Sequence, residues 1–128
     1  MRQRPVEVIL ARQWASSLEL PVFIVDPDGA LLFYNEAAER ILGFRFEETG
    51  EMRAAEWSKV FTPIDRDGEP MDPVSLPLVQ AIGTRLPVHG EFGIRGLDGQ
   101  THWIATTAFP LVAQGQGFAG AMAIFWEA

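Results

Sequence analysis

Three strand-length runs close the sequence, Val88 to Arg95, His102 to Val112 and Gly117 to Glu127, joined only at Leu97-Asp98-Gly99-Gln100 and at Gln114-Gly115-Gln116-Gly117. Connections this short cannot carry a crossover, so the three runs are antiparallel neighbours in one sheet. A second hairpin lies upstream. Val22-Phe23-Ile24-Val25 and Leu31-Leu32-Phe33-Tyr34 are β-branched and aromatic runs that flank the turn chemistry of Asp26-Pro27-Asp28-Gly29. The remaining segments read as helices. Asn35 suits an N-cap for Glu36 to Leu42, with Gly43 as the stop. Val74 to Arg85 has helical spacing through Leu78, Val79 and Ile82 and ends before Pro87. A shorter helix is expected around Glu51 to Val60 and a loop at Asp65 to Pro70, in the least periodic part of the chain, Phe44 to Pro73.

Ahead of all this, Val6, Ile9, Leu10, Trp14 and Leu18 recur at helical spacing, and Pro5 suits a first helical position. Helices segregated from five strands predict an α+β domain with an antiparallel sheet. With 128 residues, 48% of them hydrophobic, there is material for one core and not comfortably for two.

Charge and composition exclude several functions. The net charge of -7 and ten scattered cations disfavour nucleic acid and anionic membrane as partners. With no cysteine, the chain has no disulfide, thiolate metal site or thiol nucleophile. Met1-Arg2-Gln3-Arg4 looks like a signal-peptide start, but Pro5, Glu7 and Arg12 break the apolar stretch after it. The longest apolar run, Phe118 to Trp126, is about half of what a membrane helix needs, so no membrane insertion is expected and the reading is cytoplasmic.

No catalytic constellation emerges. Gly115-Gln116-Gly117-Phe118-Ala119-Gly120 fits a dinucleotide fingerprint in letters only, since no helix comes after it. Aspartates beside Gly29 and Gly68 suit turns, because calcium-loop spacing would put Asn35 and Val74 at the bidentate position. If Asp98-Gly99 is a two-residue turn, His102 faces Arg95 and His89 lies near Ala108, so the two histidines do not converge on a metal. Ser16, Ser17, Ser58 and Ser75 lack a neighbouring base, and Glu47-Glu48 diverge as sequence neighbours.

Pro21 to Ala38 with Leu42-Gly43-Phe44, then Leu97 to Ile104, Phe109-Pro110-Leu111 and Gly120 to Glu127, together resemble the PAS family of sensory domains. The resemblance implies a five-stranded antiparallel sheet in the order 2-1-5-4-3, with helices on one face around a small cavity. It divides the chain into a flanking amphipathic helix, residues 1–19, and a PAS domain, residues 20–128. It implies a sensor that passes its signal to an effector domain or partner protein, such as a histidine kinase or regulator, and that is not an enzyme. The chain ends just after the fifth strand, which suggests an excised domain.

Departures from the family narrow the ligand. Without cysteine, neither a cysteinyl flavin adduct nor a cysteine-linked chromophore can form. Haem-binding relatives hold iron through a histidine of the longest helix, whereas Val74 to Arg85 has none and His89 lies just past it. Ile94 and Ile104 stand where flavin-binding relatives tend to have amides. The cofactor is left unknown, with a small apolar ligand as the best fit. A turn longer than two residues would pair Phe92 and Ile94 with Ile104 and Thr106 on one face, and we expect that register. The expected cavity lining is Phe23, Val25, Leu42, Leu78, Ile82, Phe92, Ile94, Ile104, Thr106 and Met122, with Thr106 the only polar group. Val6, Ile9, Leu10, Trp14 and Leu18 are expected to pack on the sheet's outer face or on the same helix of a second subunit, giving a homodimer. Two alternatives remain. One is a protein interaction module with a filled core. The other is a cone-shaped α+β enzyme, which would need an acid or base in its cavity.

Overall fold

In the computed structural model, which describes residues 5–95, 99–113 and 117–128, a single antiparallel sheet separates two apolar clusters. The elements are α1 (Val6–Ala15), β1 (Val22–Val25), β2 (Leu31–Tyr34), α2 (Glu36–Leu42), α3 (Phe46–Thr49), α4 (Ala54–Val60), β3 (Pro63–Ile64), a 3-10 turn (Pro73–Ser75), α5 (Pro77–Thr84), β4 (Val88–Arg95), β5 (Thr101–Val112) and β6 (Phe118–Glu127). Residues 1–4, 96–98 and 114–116 lie outside the described residues, and with them the arginine-rich start and most of the two expected glycine turns.

The sheet order is β2-β1-β6-β5-β4-β3. The expected five strands are all present in their expected order. The correction is a sixth, two-residue edge strand, in which Pro63 and Ile64 pair with Ile94 and Gly93. Proline at an edge costs no ladder bond. Helical boundaries shift for local reasons. Pro5 precedes α1 as its N-cap instead of opening it, and the helix ends at Ala15, three residues before Leu18. The helix expected over Val74 to Arg85 is split, because Leu76 is extended before Pro77 and α5 starts at that proline. The helix expected from Glu51 begins at Ala54, and the four-residue α3 is an addition to the expected elements.

Between β1 and β2, Asp26 accepts the amides of Asp28 and Ala30, both at 2.9 Å, which closes the hairpin turn as an Asx motif. Asn35 does more than the expected capping. Its Oδ1 accepts from Ala38 N at 3.0 Å and from Val22 N at 2.9 Å, while Nδ2 donates to Ala15 O at 2.9 Å and Leu20 O at 2.8 Å. One buried amide, fully satisfied, ties the end of α1, the start of β1 and the start of α2. Gly43 then ends α2 with φ of 90°, in the left-handed region.

The inner cluster collects Phe23, Tyr34, Trp57 and Phe61 with aliphatic side chains of α2, α5 and β4–β6. Phe23 meets Trp57 edge-on with ring centroids 5.3 Å apart, and Tyr34 meets Phe46 at 5.4 Å. Trp57 Nε1 donates to Gly29 O at 2.8 Å, pinning α4 to the hairpin turn. Tyr34 OH donates to Phe44 O at 2.8 Å and shares a 3.2 Å hydrogen bond with Thr49 Oγ1.

The outer cluster lies under α1, and of the two packings expected for Val6, Ile9, Leu10 and Trp14 it rules out the one on the sheet. Val8 and Ala15 are the buried residues, with Ala11 partly buried beside them, against Val22, Ile24, Leu32 and Met122. Val6, Leu10 and Trp14 are 56%, 56% and 50% exposed, and Ile9 is exposed at the border. At 100° per residue these four share one side of the helix, opposite Val8 and Ala15. Leu18 lies beyond the helix end and packs on the outer cluster.

Two measurements check this account. Asn35→Ala strands the amides of Val22 and Ala38 and the carbonyl of Leu20, while Ala15 O keeps its 3.1 Å bond from Leu18 N, and should lower stability by about 3 kcal/mol in urea unfolding; a change within error would mean water replaces the side chain. Burial first, with Glu39 and Glu48 adding and the Thr49 hydrogen bond opposing, raises the phenol of the chain's single tyrosine, Tyr34, above its ordinary value. Its phenolate absorbance should therefore appear at higher pH in the folded protein than in urea. The matching stability is complete below the unfolded value of about 10 and is lost as pH rises through the folded one.

Candidate functional site

Inside the inner cluster is a cavity of about 50 Å³. Six parts of the fold build its wall: Phe23 from β1, Leu42 from α2, Trp57 and Phe61 from the α4 region, Pro63 from β3, Leu76, Pro77 and Leu78 at the start of α5, and the inward positions of the last three strands. Those positions are Phe92 and Ile94 on β4, Ile104 and Thr106 on β5, and Ala123 and Phe125 on β6.

Strand register explains which β4 and β5 residues meet. Arg95 pairs with Thr101, Phe92 with Ile104 and Gly90 with Thr106. Five residues thus separate the paired ends, which is the longer-turn register, and Phe92, Ile94, Ile104 and Thr106 share one face as expected. The same register corrects the positions given by a two-residue turn: His102 faces Ile94 and His89 faces Thr107. The histidines remain apart. His89 Nδ1 lies 2.8 Å from Thr107 Oγ1, and His102 Nδ1 lies 3.2 Å from Glu127 Oε1.

Phe23, Leu42, Leu78, Phe92, Ile94, Ile104 and Thr106 thus line the cavity as expected. Three expected residues do not. Val25 belongs to the inner cluster but sits at the hairpin end, paired with Leu31 and Ala121. Ile82 packs at the cluster's edge, where its Cδ1 approaches Gly29, because α5 turns Leu78 and Ala81 inward. Met122 faces the opposite side of the sheet, in the outer cluster. Its neighbours Ala123 and Phe125 take the inward positions instead.

Trp57, Phe61, Pro63, Leu76 and Pro77 escape sequence reasoning because they fall in or beside the aperiodic segment. The available signal was the Trp57-Phe61 spacing of four, which places both rings on one helical face. Thr62, between Phe61 and Pro63, has φ of 35°, a conformation β-branched residues rarely adopt. It is held by Oγ1 donating to Lys59 O at 3.0 Å and by its carbonyl accepting from Arg95 N at 3.3 Å.

No charged side chain lines the cavity. Thr106 is its one polar lining residue, yet the cavity surface is apolar throughout, and Thr106 Oγ1 is buried away from it without a hydrogen-bond partner; the other orphan among the described residues is His102 Nε2. Among the described residues there is also no group of three or more His, Cys, Asp or Glu side chains that could hold a metal. A second recess of about 370 Å³ lies outside the core, between α1 and the outer face of β1 and β2, where the Arg12 guanidinium stacks 4.6 Å from the Phe33 ring centroid.

An α+β domain whose sheet and helices line a small uncharged cavity in the core is the class of protein this geometry defines. A family model described as the PAS fold matches residues 15–128, and the chain belongs to that family. Solved structures agree on the fold. The PAS domain of a Colwellia psychrerythraea protein is similar with a TM-score of 0.67 at 15% identity, covering 94% of this chain and 96% of that one. The PAS domain of nitrogen regulation protein NR(II) from Vibrio parahaemolyticus has a TM-score of 0.64 at 15% identity, with 93% and 98% covered. A LOV protein from Rhodobacter sphaeroides reaches 0.70 at 8% identity, covering 95% of this chain and 67% of that one. No curated protein sequence matches significantly.

Filling the cavity tests its existence. Ala123→Val adds two methyl groups at a lining position in a strand, and should raise stability by about 1 kcal/mol. A loss of similar size in thermal unfolding would mean that the space is not there.

Proposed function

We propose that the chain is the sensing and dimerisation module of a cytoplasmic signal-transduction protein, a flanking segment of residues 1–19, which carries α1, before a PAS domain of residues 20–128. Membership of the PAS family supports the sensing role. The likeness to the PAS domain of nitrogen regulation protein NR(II) supports an effector domain or partner protein of the two-component type.

The observation that carries the dimer is the orientation of α1. Val6, Ile9, Leu10 and Trp14 form an apolar side turned away from the sheet, next to the recess beside Ile9. A solvated helix of this length would not hold its larger apolar side chains outward. A second copy presenting the same side would bury both faces across a two-fold axis. Asn35 ties the end of α1 to β1 and α2, so rearrangement around the core reaches the dimer helix through one side chain. The other route out is β6, whose end is held by Ala128 N donating to Trp103 O at 3.0 Å and by the His102–Glu127 contact.

In this reading the core cavity takes a small apolar ligand. Seven lining residues, five on strands and two on helices, support it, as does the absence of charge in the lining. A second reading, an interaction module without ligand, is favoured by size: about 50 Å³ is well below the roughly 300 Å³ at which ligand pockets usually begin. An enzyme of the cone-shaped α+β type would need an acid or base in the cavity, and the cavity surface is apolar.

Replacing Ile9 and Trp14 by glutamate puts like charges into the proposed contact while touching no buried residue. Light scattering should give a dimer for the wild-type protein and a monomer for the double variant. An unchanged dimer would remove α1 from the interface.

A further inference from the structure

The cavity's volume of about 50 Å³ is well below the roughly 150 Å³ in which a hydrocarbon cavity holds benzene, so a ligand of that size needs one wall to yield. The walls differ in how they are held. Strands β4, β5 and β6 are joined by long ladders, α2 is fixed through Asn35, and Trp57 Nε1 pins α4 to Gly29 O. Phe61, Pro63 and Leu76 belong to a strap whose strand, β3, is two residues long and pairs with β4 at the edge of the sheet. At its start Thr62 has φ of 35°, a strained conformation for a β-branched residue, kept in place by the 3.3 Å bond that its carbonyl accepts from Arg95 N. The chain after it is bonded to itself and would move as one piece. Met71 N donates to Pro63 O and Asp65 N to Glu69 O, both at 2.9 Å, while Asp65 Oδ1 accepts from Asp67 N and Glu69 N.

Strand alternation gives this edge two sides. Pro63, paired with Ile94, lines the cavity. Ile64, 8% exposed, covers Gly93 on the outer face, where a Cβ would come within 2.7 Å of Ile64 Cγ1 and 3.2 Å of Trp103 Cε3. On the same face the Arg66 guanidinium lies 5.0 Å from the Trp103 ring centroid, Arg66 Nη2 is 3.4 Å from Glu91 Oε1, and Trp103 Nε1 donates to that oxygen at 3.1 Å. Arg66 and Glu91 are exposed, so this contact is weak and easily exchanged for water. Trp103 O accepts from Ala128 N at 3.0 Å, at the end of β6.

We propose that the strap from Thr62 to Asp72 is the wall that swings out to enlarge the cavity for an apolar ligand, and that Arg66, Glu91 and Trp103 form its catch on the outer face. This rests on the reading of the cavity as a ligand site. Release breaks the bond between Arg95 N and Thr62 O and relieves Thr62. It also frees the ring of Trp103, whose carbonyl holds the end of β6, so ligand entry is felt at the strand that leads out of the domain.

Benzene is the probe. The chain has no cysteine, so Ile64→Cys with Gly93→Cys puts a single disulfide across the β3–β4 pair, on the face away from the cavity. Benzene is titrated into the full chain while backbone amides are followed by NMR. Affinity should fall about tenfold or more when the disulfide is closed and return on reduction. Arg66→Ala removes the catch and should bind benzene about two- to fivefold more tightly than the wild type; an unchanged affinity overturns the role of the catch. In the wild-type protein, saturating benzene should speed hydrogen exchange at the Arg95 amide but not at Val22 or Ala38. That readout decides alone if the double variant does not fold or does not close its disulfide. Slower exchange at all three, the ordinary effect of a bound ligand, overturns the proposal. Equal binding by the oxidised and reduced forms also overturns it, while the cavity stands as a ligand site. If benzene binds neither form nor the wild type, the ligand reading falls and the proposal with it.

Discussion

The side-chain amide of Asn35 is the joint on which the domain is assembled. Three chain segments must meet where the hairpin ends: the helix outside the sheet, the central strand β1, and the short helix α2 that turns the chain to the inside. Each brings a backbone group that its own element cannot satisfy. Ala15 O and Leu20 O lie at and past the end of α1, Val22 N starts β1, and Ala38 N belongs to the first turn of α2. A carboxylate could take the two amides but not the two carbonyls, and a hydroxyl is too short to reach both sides. An asparagine supplies two donors and two accepting directions from one planar group. With all four used in a buried position, the outer helix is coupled to the inner core by polar contacts as well as by packing.

The sheet divides its side chains by size around that joint. On the outer face, Ala11, Ala15 and Ala119 allow α1 to lie close, and Val22, Ile24 and Met122 fill the remaining space. On the inner face, aromatic rings and branched residues from every helix after β2 close over the strands, leaving a small hydrocarbon space beside Thr106. Gly120 marks the crossing between the two regimes. Its φ is 132°, and a Cβ there would overlap the Val25 carbonyl, so only glycine lets β6 approach β1 this closely.

Much of this is readable in the sequence wherever a local signal is unopposed. The Asp26 to Gly29 turn, the Asn35 cap, the Gly43 stop and the three closing strands each rest on residues whose preference agrees with the fold. The β4–β5 register is legible too, since only one phase of alternation puts Phe92, Ile94, Ile104 and Thr106 together. Two other phases are not. In β6 nearly every residue from Ala119 to Phe125 is buried, on one face or the other, so apolar character says nothing about direction. The ladder also skips at Leu111/Val112, where Leu111 pairs with Gly120 and Val112 with Phe118, and this shift reverses the parity. That is why alternation points Met122 inward and misses Ala123 and Phe125. In α1 both sides are apolar, and the sheet took the smaller side chains because close approach outweighed hydrophobicity. The cavity wall from Trp57 to Pro77 depends on long-range packing of aperiodic chain, for which no local pattern exists.

If Asn35 makes the outer helix and the inner core one mechanical unit, the most direct test is native-state amide hydrogen exchange of the unmodified protein. The last turn of α1 should exchange with the same opening free energy as Val22 and Ala38, the two amides that Asn35 accepts from. Exchange in α1 that is orders of magnitude faster than at Val22 and Ala38 would contradict the account, because the helix would then open freely without disturbing the joint.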